Sequence, residues 1–358
     1  MAAEQTQADH QVIAGAVVMK SIGHQEGVAG DRLRLNAEEA VSRIAAALRE
    51  QLGTQLKRWG FVVAMSGGID SSTCAALAVQ AVGAKRVVGL FLPERDSDPV
   101  SLTLATELAT QLGIEHVTED IAPILTAAGC YARRDEAIRR AVPEYGEGWK
   151  CKLALPTGRG GNDRLNVTQL VVQNPAGERW SVRLGSAEYR QIVAATNFKQ
   201  RVRKMMEYYH ADRLHYAVVG TPNRLEYDQG FFVKGGDGLA DVKPIAHLFK
   251  TQVYQLAEHL GVPKGISSRP PTTDTFSLPQ SQEEFYFSFP ARTLDQVLHA
   301  RNAGLSAAET ARETGLTEDQ VAWGFRDIAQ KRATTRYLHL HSLTVEPVLL
   351  PQGGEDPS

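Results

Sequence analysis

The segment Ser66–Ser72 reads SGGIDSS and combines the residue types that bind phosphate groups. It follows a short apolar run and opens a helical pattern, so the unpaired backbone N–H groups at the start of that helix can meet an anion. Asp70 would repel a bare phosphate, and its position therefore predicts a Mg²⁺ ion between the carboxylate and the phosphate. The glycines permit close backbone approach, and the serines add hydroxyl donors: Gly67, Gly68, Ser66, Ser71 and Ser72.

Polar residues also follow a later apolar run, in the segment Gly220–Glu226. Ligands of open parallel sheets bind beyond the carboxyl ends of the strands, so Thr221 and Glu226 are expected at the same sheet edge as Ser66–Ser72. Glu226 is therefore a candidate second ligand of the metal ion. The alternative interpretation is an acidic residue on a solvated helix.

The next segment, Gly230–Asp241, contains four glycines, two aspartates and one lysine. An ordinary turn rarely needs so many glycines, so this composition predicts an unusual backbone conformation. Lys250-Thr251-Gln252-Val253 follows at the start of an amphipathic helical pattern.

Taken in order, these segments carry a family resemblance. Ser66–Ser72 matches neither GxxxxGK[ST] nor GxGxxG, but SGGxDS resembles the pyrophosphate loop of the ATP pyrophosphatase superfamily, which splits ATP between the α and β phosphates. The ordered set resembles the ammonia-transferring domain of NAD synthetases. The matching segments, within about residues 60–335, are Ser66–Ser72, Asn197–Met205, Gly220–Glu226, Gly230–Asp241, Lys250–Val253, Gly261–Pro263 and Pro271–Thr273.

The resemblance implies an amide ligase that uses ATP and Mg²⁺. ATP would adenylate a substrate carboxylate with release of pyrophosphate, and ammonia would then displace AMP to leave an amide. Lys250 resembles the phosphate-binding lysine of the family, with a surface helix lysine as the alternative, and Thr272 or Thr273 resembles the threonine that closes over the phosphates. The catalytic residues implied in this way are Asp70, Lys250, Asp237 and Asp241.

The same resemblance assigns an acceptor-binding side. Asp237 and Asp241 would hold the incoming ammonium or the nicotinate-ribose end of the substrate. A basic helix would contact the substrate or form the interface of a homodimer, and a solvated helix face is the alternative. The substrate-binding residues implied are Asn197, Lys199, Arg201, Arg203, Lys234, Asp237 and Asp241.

Departures from the family pattern fall on this acceptor side. Gly235 stands where an aromatic residue is usual, Gln200 stands where alanine is common, and Phe285, Tyr286 and Phe287 follow an altered loop. A long insertion occupies about residues 130–190. Two acceptors are therefore considered: deamido-NAD, which gives NAD, and another carboxylate in a specialised biosynthetic pathway.

Two further classes share the fold. A non-catalytic nucleotide-binding protein would bind ATP without releasing pyrophosphate, and a tRNA-thiolating enzyme would need reactive cysteine pairs and a basic surface. Only about 60 residues precede the SGGIDSS loop, too few for the glutaminase domain of a glutamine-dependent synthetase. Free ammonia, or ammonia from a separate glutaminase, is therefore expected.

The elements that position these residues alternate along the chain. Apolar runs and helical patterns predict an α/β fold with a doubly wound, Rossmann-like parallel sheet, which the resemblance refines to the ATP pyrophosphatase (HUP) type. Inside an insertion at about 125–195, two β-like runs predict a hairpin. The predicted strands are Phe61–Met65, Val87–Leu92, Glu115–Ile121 and Leu214–Val219, with hairpin strands Leu165–Val172 and Trp180–Leu184.

The predicted organisation is a flexible arm over residues 1–35, a synthetase domain over 36–290, a small helical part over 291–345 and a tail over 346–358. Residues 265–290 lack periodicity and are proline-rich, which is typical of a lid or binding loop. Ser306 and Thr317 are predicted helix N-caps.

Composition narrows the class of protein further. The chain has 39 basic and 41 acidic residues, and this net charge of −2 does not favour a nucleic-acid partner. Three cysteines without metal-binding spacing indicate structural thiols in a reducing, cytoplasmic setting. No signal peptide and no apolar run long enough for a membrane helix is found, so no membrane association is expected.

Overall fold

The computed structural model describes residues 32–155, 168–272, 275–287 and 289–346. Four parallel strands form the main sheet in the order β3-β2-β1-β7, and Phe61 of β1 lies beside Val87 of β2 and Ala217 of β7. Three further strands form a separate antiparallel sheet. The strands are β1 (Phe61–Ala64), β2 (Val87–Phe91), β3 (Glu115–Thr118), β4 (Lys150–Ala154), β5 (Gln169–Gln173), β6 (Arg179–Arg183) and β7 (Ala217–Val219).

Thirteen α-helices occur in the described part of the chain. A π-helical turn extends the first of them, and short 3₁₀ turns occupy Ala84–Arg86 and Arg336–His339. The helices are α1 (Ala37–Glu50), α2 (Ile69–Val82), α3 (Pro99–Leu112), α4 (Ala122–Ala127), α5 (Cys130–Ala141), α6 (Ser186–Leu214), α7 (Arg224–Gln229), α8 (Lys250–His259), α9 (Lys264–Ser267), α10 (Gln282–Phe285), α11 (Ala291–Asn302), α12 (Ala307–Thr314) and α13 (Glu318–Thr335).

Helices cover both faces of the parallel sheet. Phe61 and Val63 of β1 pack into a cluster with α1, α2, α3 and α8, whereas Val62 packs into a second cluster with α5 and α6. Strands buried on both faces read as continuous apolar runs, which is why the sequence shows them so clearly. The prediction of a doubly wound α/β fold is confirmed.

The insertion contains more regular structure than predicted. β5 and β6 pair antiparallel as the expected hairpin, and β4 adds a third strand to its free edge. This sheet packs with α5 and α6 around Cys151, Leu170 and Ile192, which form a hydrophobic cluster separate from the main sheet. The first residues of the predicted hairpin, 165–167, lie outside the described residues.

The C-terminal part is helical, as predicted. Ser306 and Thr317 accept hydrogen bonds from the backbone N–H groups of Glu309 and Gln320, so both predicted N-caps are present. α11 and α13 pack with α7 around Leu298 and Ile328 in a fourth hydrophobic cluster. None of the described helices has the length and apolar character needed to cross a membrane. The proposed domain bounds stay a prediction, and the arm and tail lie largely outside the described residues.

All three cysteines are free thiols and are buried. Burial and the nearby Asp70 carboxylate raise the pKa of Cys74 well above its usual value, so this thiol stays protonated at neutral pH. The geometry supports the structural role predicted for the cysteines.

Candidate active site

The SGGIDSS loop joins β1 to α2 at the carboxyl edge of the sheet. The Ser71 hydroxyl donates to the Gly68 carbonyl over 3.1 Å and lies 3.2 Å from the Ser66 hydroxyl, so the loop is held by its own side chains. Gly67 has a positive φ of 70°, and a Cβ there would lie 2.4 Å from the Ser101 carbonyl oxygen. Only glycine fits this position, as the phosphate-loop interpretation requires.

Three loops meet at Asp70. Its carboxylate accepts a hydrogen bond from the Lys250 ammonium at the start of α8 and one over 3.1 Å from the Asn223 side-chain amide. Asn223 is the N-cap of α7, and its own N–H donates to Glu226 over 3.1 Å in a capping box. The structure therefore brings the two predicted metal ligands and the predicted phosphate-binding lysine to one point.

The charged groups of this centre, Asp70, Glu226 and Lys250, are largely buried, and their charges neutralise one another only in part. Burial and the charge of Asp70 raise the pKa of Glu226 to about 7. Burial opposes the charge of Lys250, but Asp70 and Glu226 hold its pKa above the usual range. The charges of both carboxylates act on the one Lys250 ammonium, which binds Asp70, so an additional cation would stabilise the site.

A cavity of about 1120 Å³ extends from this centre. Its lining comes from the sheet edge and the SGGIDSS loop, from α6, from the Gly230–Asp241 segment and from residues of the stretch 334–338. Most of the predicted site residues line it: Ser66, Gly68, Asp70, Ser71, Thr221, Glu226, Lys250, Thr272, Asn197, Arg201, Arg203, Lys234 and Asp237.

Four predicted residues in the described part of the chain lie outside the cavity lining: Gly67, Ser72, Lys199 and Asp241. Ser72 is buried, and its hydroxyl has no hydrogen-bond partner. Asp241 accepts hydrogen bonds from the Tyr208 hydroxyl and, over 2.7 Å, from the Val218 N–H, and so holds the end of the sheet. Thr273 lies outside the described residues.

Lys199 is fully buried in an ionic cluster behind the cavity wall. Its ammonium donates to Glu94, Asp96 and the Thr275 carbonyl, each within 2.8 Å. Arg134 of the insertion donates to the same Asp96 carboxylate over 2.7 Å. In this structure Lys199 ties α6 and the Thr275 segment to the loop after β2, Arg134 ties the insertion to the same loop, and Lys199 is not part of the cavity lining.

The acceptor side carries charges that the sequence did not single out. Lys204 and Glu207 on α6 form a buried ion pair of 2.6 Å that lines the cavity near Asp237. Burial raises the pKa of the Asp237 carboxyl, which accepts a hydrogen bond from the Val233 N–H over 2.7 Å. Lys234 donates to the carbonyls of Tyr337 and Leu340, so it also anchors the C-terminal segment.

Three positioning residues were missed from the sequence. Asn223 has a local signal, because Asn-x-x-Glu ahead of a helix is a capping box. Asp295 has none, since it accepts from the N–H groups of Lys250 and Thr251 from a helix 45 residues away. Gln282 likewise reaches Glu226 across 56 residues.

Comparison with known proteins agrees with this geometry. The sequence profile described as NAD synthase matches residues 40–141 and 173–337. An NH(3)-dependent NAD(+) synthetase from Rhizobium rhizogenes is 55% identical over 321 residues, which cover 90% of this chain and 96% of that protein. Among solved structures, an NH3-dependent NAD synthetase from Campylobacter jejuni has a TM-score of 0.57 at 18% identity and covers 87% of this chain and 100% of its own. An NMN synthetase from Francisella tularensis has a TM-score of 0.56 at 23% identity, with coverages of 88% and 100%.

The parallel sheet and the loop after its β1 strand define an α/β protein of the ATP pyrophosphatase (HUP) type. Within that class, the profile match and the 55% identity are decisive, and the chain belongs to the NAD synthase family.

Proposed function

We propose that this protein is an ammonia-dependent NAD synthetase, which converts deamido-NAD, ammonia and ATP to NAD, AMP and pyrophosphate. The observation that supports it best is one cavity lined by residues of the phosphate-type loop, including Asp70, by residues of the acceptor-type Gly230–Asp241 segment, and by Lys250 and Glu226. Its volume of about 1120 Å³ exceeds the upper range of single-ligand pockets, about 1,000 Å³, and suits two substrates side by side.

The first step forms an acyl-adenylate. The backbone N–H groups of the Ser66–Ser72 loop and the N-terminus of α2 bind the triphosphate. The acceptor carboxylate attacks the α-phosphorus, the bond to the β-phosphate oxygen breaks, and pyrophosphate leaves. Lys250 donates to the phosphate oxygens and neutralises the charge that develops on them.

The second step transfers nitrogen. Ammonia attacks the activated carbonyl, AMP leaves as the leaving group, and the proton released from nitrogen must be taken up nearby. Asp237 lines the cavity, where its carboxylate would hold the incoming ammonium, and the burial that raises its pKa also favours uptake of the released proton. Asp241 acts indirectly. It accepts a hydrogen bond from the Val218 N–H and so holds the end of β7, after which the Gly220–Glu226 segment begins.

Asp70 and Glu226 fit a Mg²⁺ site. In the described ranges no group of three or more His, Cys, Asp or Glu side chains forms a self-contained metal site. Mg²⁺ is commonly bound by one or two carboxylates together with substrate phosphates, which is the donor set that this cavity offers. When bound, the ion would neutralise charge on the phosphates, while Lys250 would be free to leave Asp70.

The proposal extends to the nitrogen source, the assembly and the location. Ammonia is taken free or from a separate glutaminase. The apolar side chains of Met205 and Tyr209 on α6 are 52% and 57% exposed, which supports a homodimer formed on that face. Three unpaired thiols support a reducing, cytoplasmic location.

The decisive experiment measures pyrophosphate and NAD in the presence of ATP, Mg²⁺ and ammonium, with and without deamido-NAD. NAD formation that depends on deamido-NAD supports the proposal. Nicotinate mononucleotide serves as the second acceptor, because the same fold is found in a protein named NMN synthetase. ATP binding without turnover of deamido-NAD would favour the alternative carboxylate acceptor.

A further inference from the structure

Both carboxylate oxygens of Glu226 are held, and the two contacts come from different parts of the chain. One oxygen accepts from the Asn223 N–H within its own helix cap. The other accepts from the side-chain amide of Gln282 over 2.9 Å. Gln282 also lines the cavity. The direction in which Glu226 faces the cavity therefore depends on where α10 lies.

The segment that leads into α10 is braced by the inserted antiparallel sheet. The backbone of residues 277–284 runs along the free edge of β4 and exchanges hydrogen bonds with it. The Cys151 N–H donates to the Ser277 hydroxyl over 2.9 Å, and the Leu278 N–H donates to the Cys151 carbonyl over 3.1 Å. The Leu155 N–H donates to the Glu284 carbonyl over 2.8 Å.

Side chains reinforce this edge. The Lys152 ammonium donates to the Pro279 carbonyl over 3.1 Å and to the Glu284 carboxylate over 2.9 Å. The Gln280 amide donates to the Leu153 carbonyl. Phe276 is 5% exposed and packs in the same hydrophobic cluster as Leu153. Hydrogen bonds, an ion pair and apolar burial thus hold one face of residues 276–284 against the inserted sheet.

The bracing strand lies outside the residues that the NAD synthase profile matches. The profile matches residues 40–141 and 173–337, and β4 falls in the gap between them. The profile therefore covers Glu226 and Gln282 but not the strand that braces the Gln282 segment.

We propose that Gln282 is a positioning residue for the Glu226 carboxylate and that β4 of the insertion holds Gln282 in place. This inference rests on the proposed function and deepens it. The insertion then acts at the reacting end of the cavity, through the segment that it binds, although its own strands lie outside the cavity lining.

The test compares two variants with a matched control. Gln282→Leu removes the amide at similar side-chain volume, and Lys152→Met removes the charged contacts of the brace at a distance from the cavity. Glu283→Gln, on the exposed side of α10, is the control, because its amide oxygen can still accept from the Ala291 N–H. Steady-state NAD synthesis gives kcat and KM for ATP, and hydrogen–deuterium exchange follows the amides of residues 276–287.

Gln282→Leu is expected to lower kcat by roughly 10-fold or more with little change in KM, as for the loss of a hydrogen bond to a charged group. Lys152→Met is expected to lower kcat less and to speed exchange across residues 276–287. In the Gln282→Leu background, Lys152→Met should not lower kcat further, because the two act through one contact.

Three results would overturn the inference: a Gln282→Leu enzyme with the kcat of the control, unchanged exchange in Lys152→Met, or fully additive effects of the two substitutions on kcat. The exchange measurement needs no substrate. Failure of the wild-type protein to make NAD would therefore count against the proposed function, while the brace would still be tested.

Discussion

Asp70 is the residue on which the site depends. Its carboxylate binds the Lys250 ammonium from α8 and the Asn223 amide from α7, while the residue itself opens α2. A Mg²⁺ ion held by Asp70, as proposed above, would compensate the same charge as the ammonium does. We infer that binding of Mg²⁺ and ATP moves Lys250 from Asp70 to the phosphates, so that one lysine serves the free and the loaded site.

Asp70→Asn is expected to lower the rate of pyrophosphate release by roughly 100-fold or more, because a neutral amide is a poor magnesium ligand. The fold should persist, since the amide oxygen can still accept one of the two hydrogen bonds that Asn223 and Lys250 donate to Asp70. Coupled-enzyme detection of pyrophosphate measures the loss, and circular dichroism is the control. Pyrophosphate release at the wild-type rate would refute the metal assignment.

Asn223 combines two functions that substitution can separate. Asn223→Ser keeps an oxygen to cap α7 but loses the amide donor to Asp70, whereas Asn223→Ala loses both. We expect both variants to lose activity, and only the alanine variant to lose about 1 kcal/mol of unfolding free energy through the lost cap. Urea unfolding and NAD synthesis measure the two effects. Full activity in Asn223→Ser would show that the contact with Asp70 is dispensable.

At the scale of elements, the ionic cluster around Asp96 joins the loop after β2 to α5 and α6. Burial opposes the charge, but Lys199 and Arg134 lower the pKa of Asp96 from 3.8 to about 2. Its charged form therefore stabilises the fold fully above about pH 4, and this stabilisation is lost as the pH falls towards 2.

Asp96→Asn is accordingly expected to lower the free energy of unfolding by ~2 kcal/mol at pH 7. The difference between variant and wild type should shrink as the pH falls from 4 to 2, because wild-type Asp96 is then protonated. Denaturant unfolding at several pH values measures this difference. A difference that does not change with pH would show that the cluster acts through packing and not through charge.

Local sequence signals predicted two kinds of element: strands that are buried on both faces, and helices that begin with a capping side chain. The run 61–63 is buried on both faces and stands out as apolar, and Ser306 and Thr317 begin helices by their own side chains. β4 has no such signal in its own sequence, Lys-Cys-Lys-Leu-Ala, because the contacts along its free edge come from a segment more than 120 residues later. The predicted strand Leu214–Val219 begins only at Ala217, because α6 runs on to Leu214 and ends at His215 in a left-handed conformation.

The same limit applies to the site. Ser66, Asp70 and Glu226 follow strand ends, where the topology of a parallel sheet brings them together, so their meeting was predictable. Lys199 and Arg201 lie two residues apart in one basic stretch. Lys199 faces the buried Asp96 and Arg201 lines the cavity, and the sequence gives no sign of this difference. Which side of a basic helix faces the ligand is decided by tertiary packing.

For the whole molecule, the cavity is assembled from five parts of the chain. The sheet edge carries the predicted phosphate-binding loop, α6 and the Gly230–Asp241 segment carry predicted acceptor-binding residues, Gln282 of α10 contacts Glu226, and residues of the stretch 334–338 also line the cavity. Lys234 holds this last stretch by donating to the carbonyls of Tyr337 and Leu340. α6 lines the cavity. A homodimer formed through the outer face of α6 would therefore lie close to the predicted acceptor-binding residues.

Met205 and Tyr209 are spaced four residues apart on α6 and are both more than half exposed, so they share one outward face. If this face forms the proposed homodimer, Tyr209→Glu is expected to convert the protein to monomers by burying an unpaired charge. Light scattering coupled to size-exclusion chromatography measures the mass. Trp59→Ser, which alters an aromatic side chain of 68% exposure on a different segment, is the control and should leave the mass unchanged. Two results would reject this interface: a wild-type mass near the 39.1 kDa of one chain, or a Tyr209→Glu protein that stays dimeric.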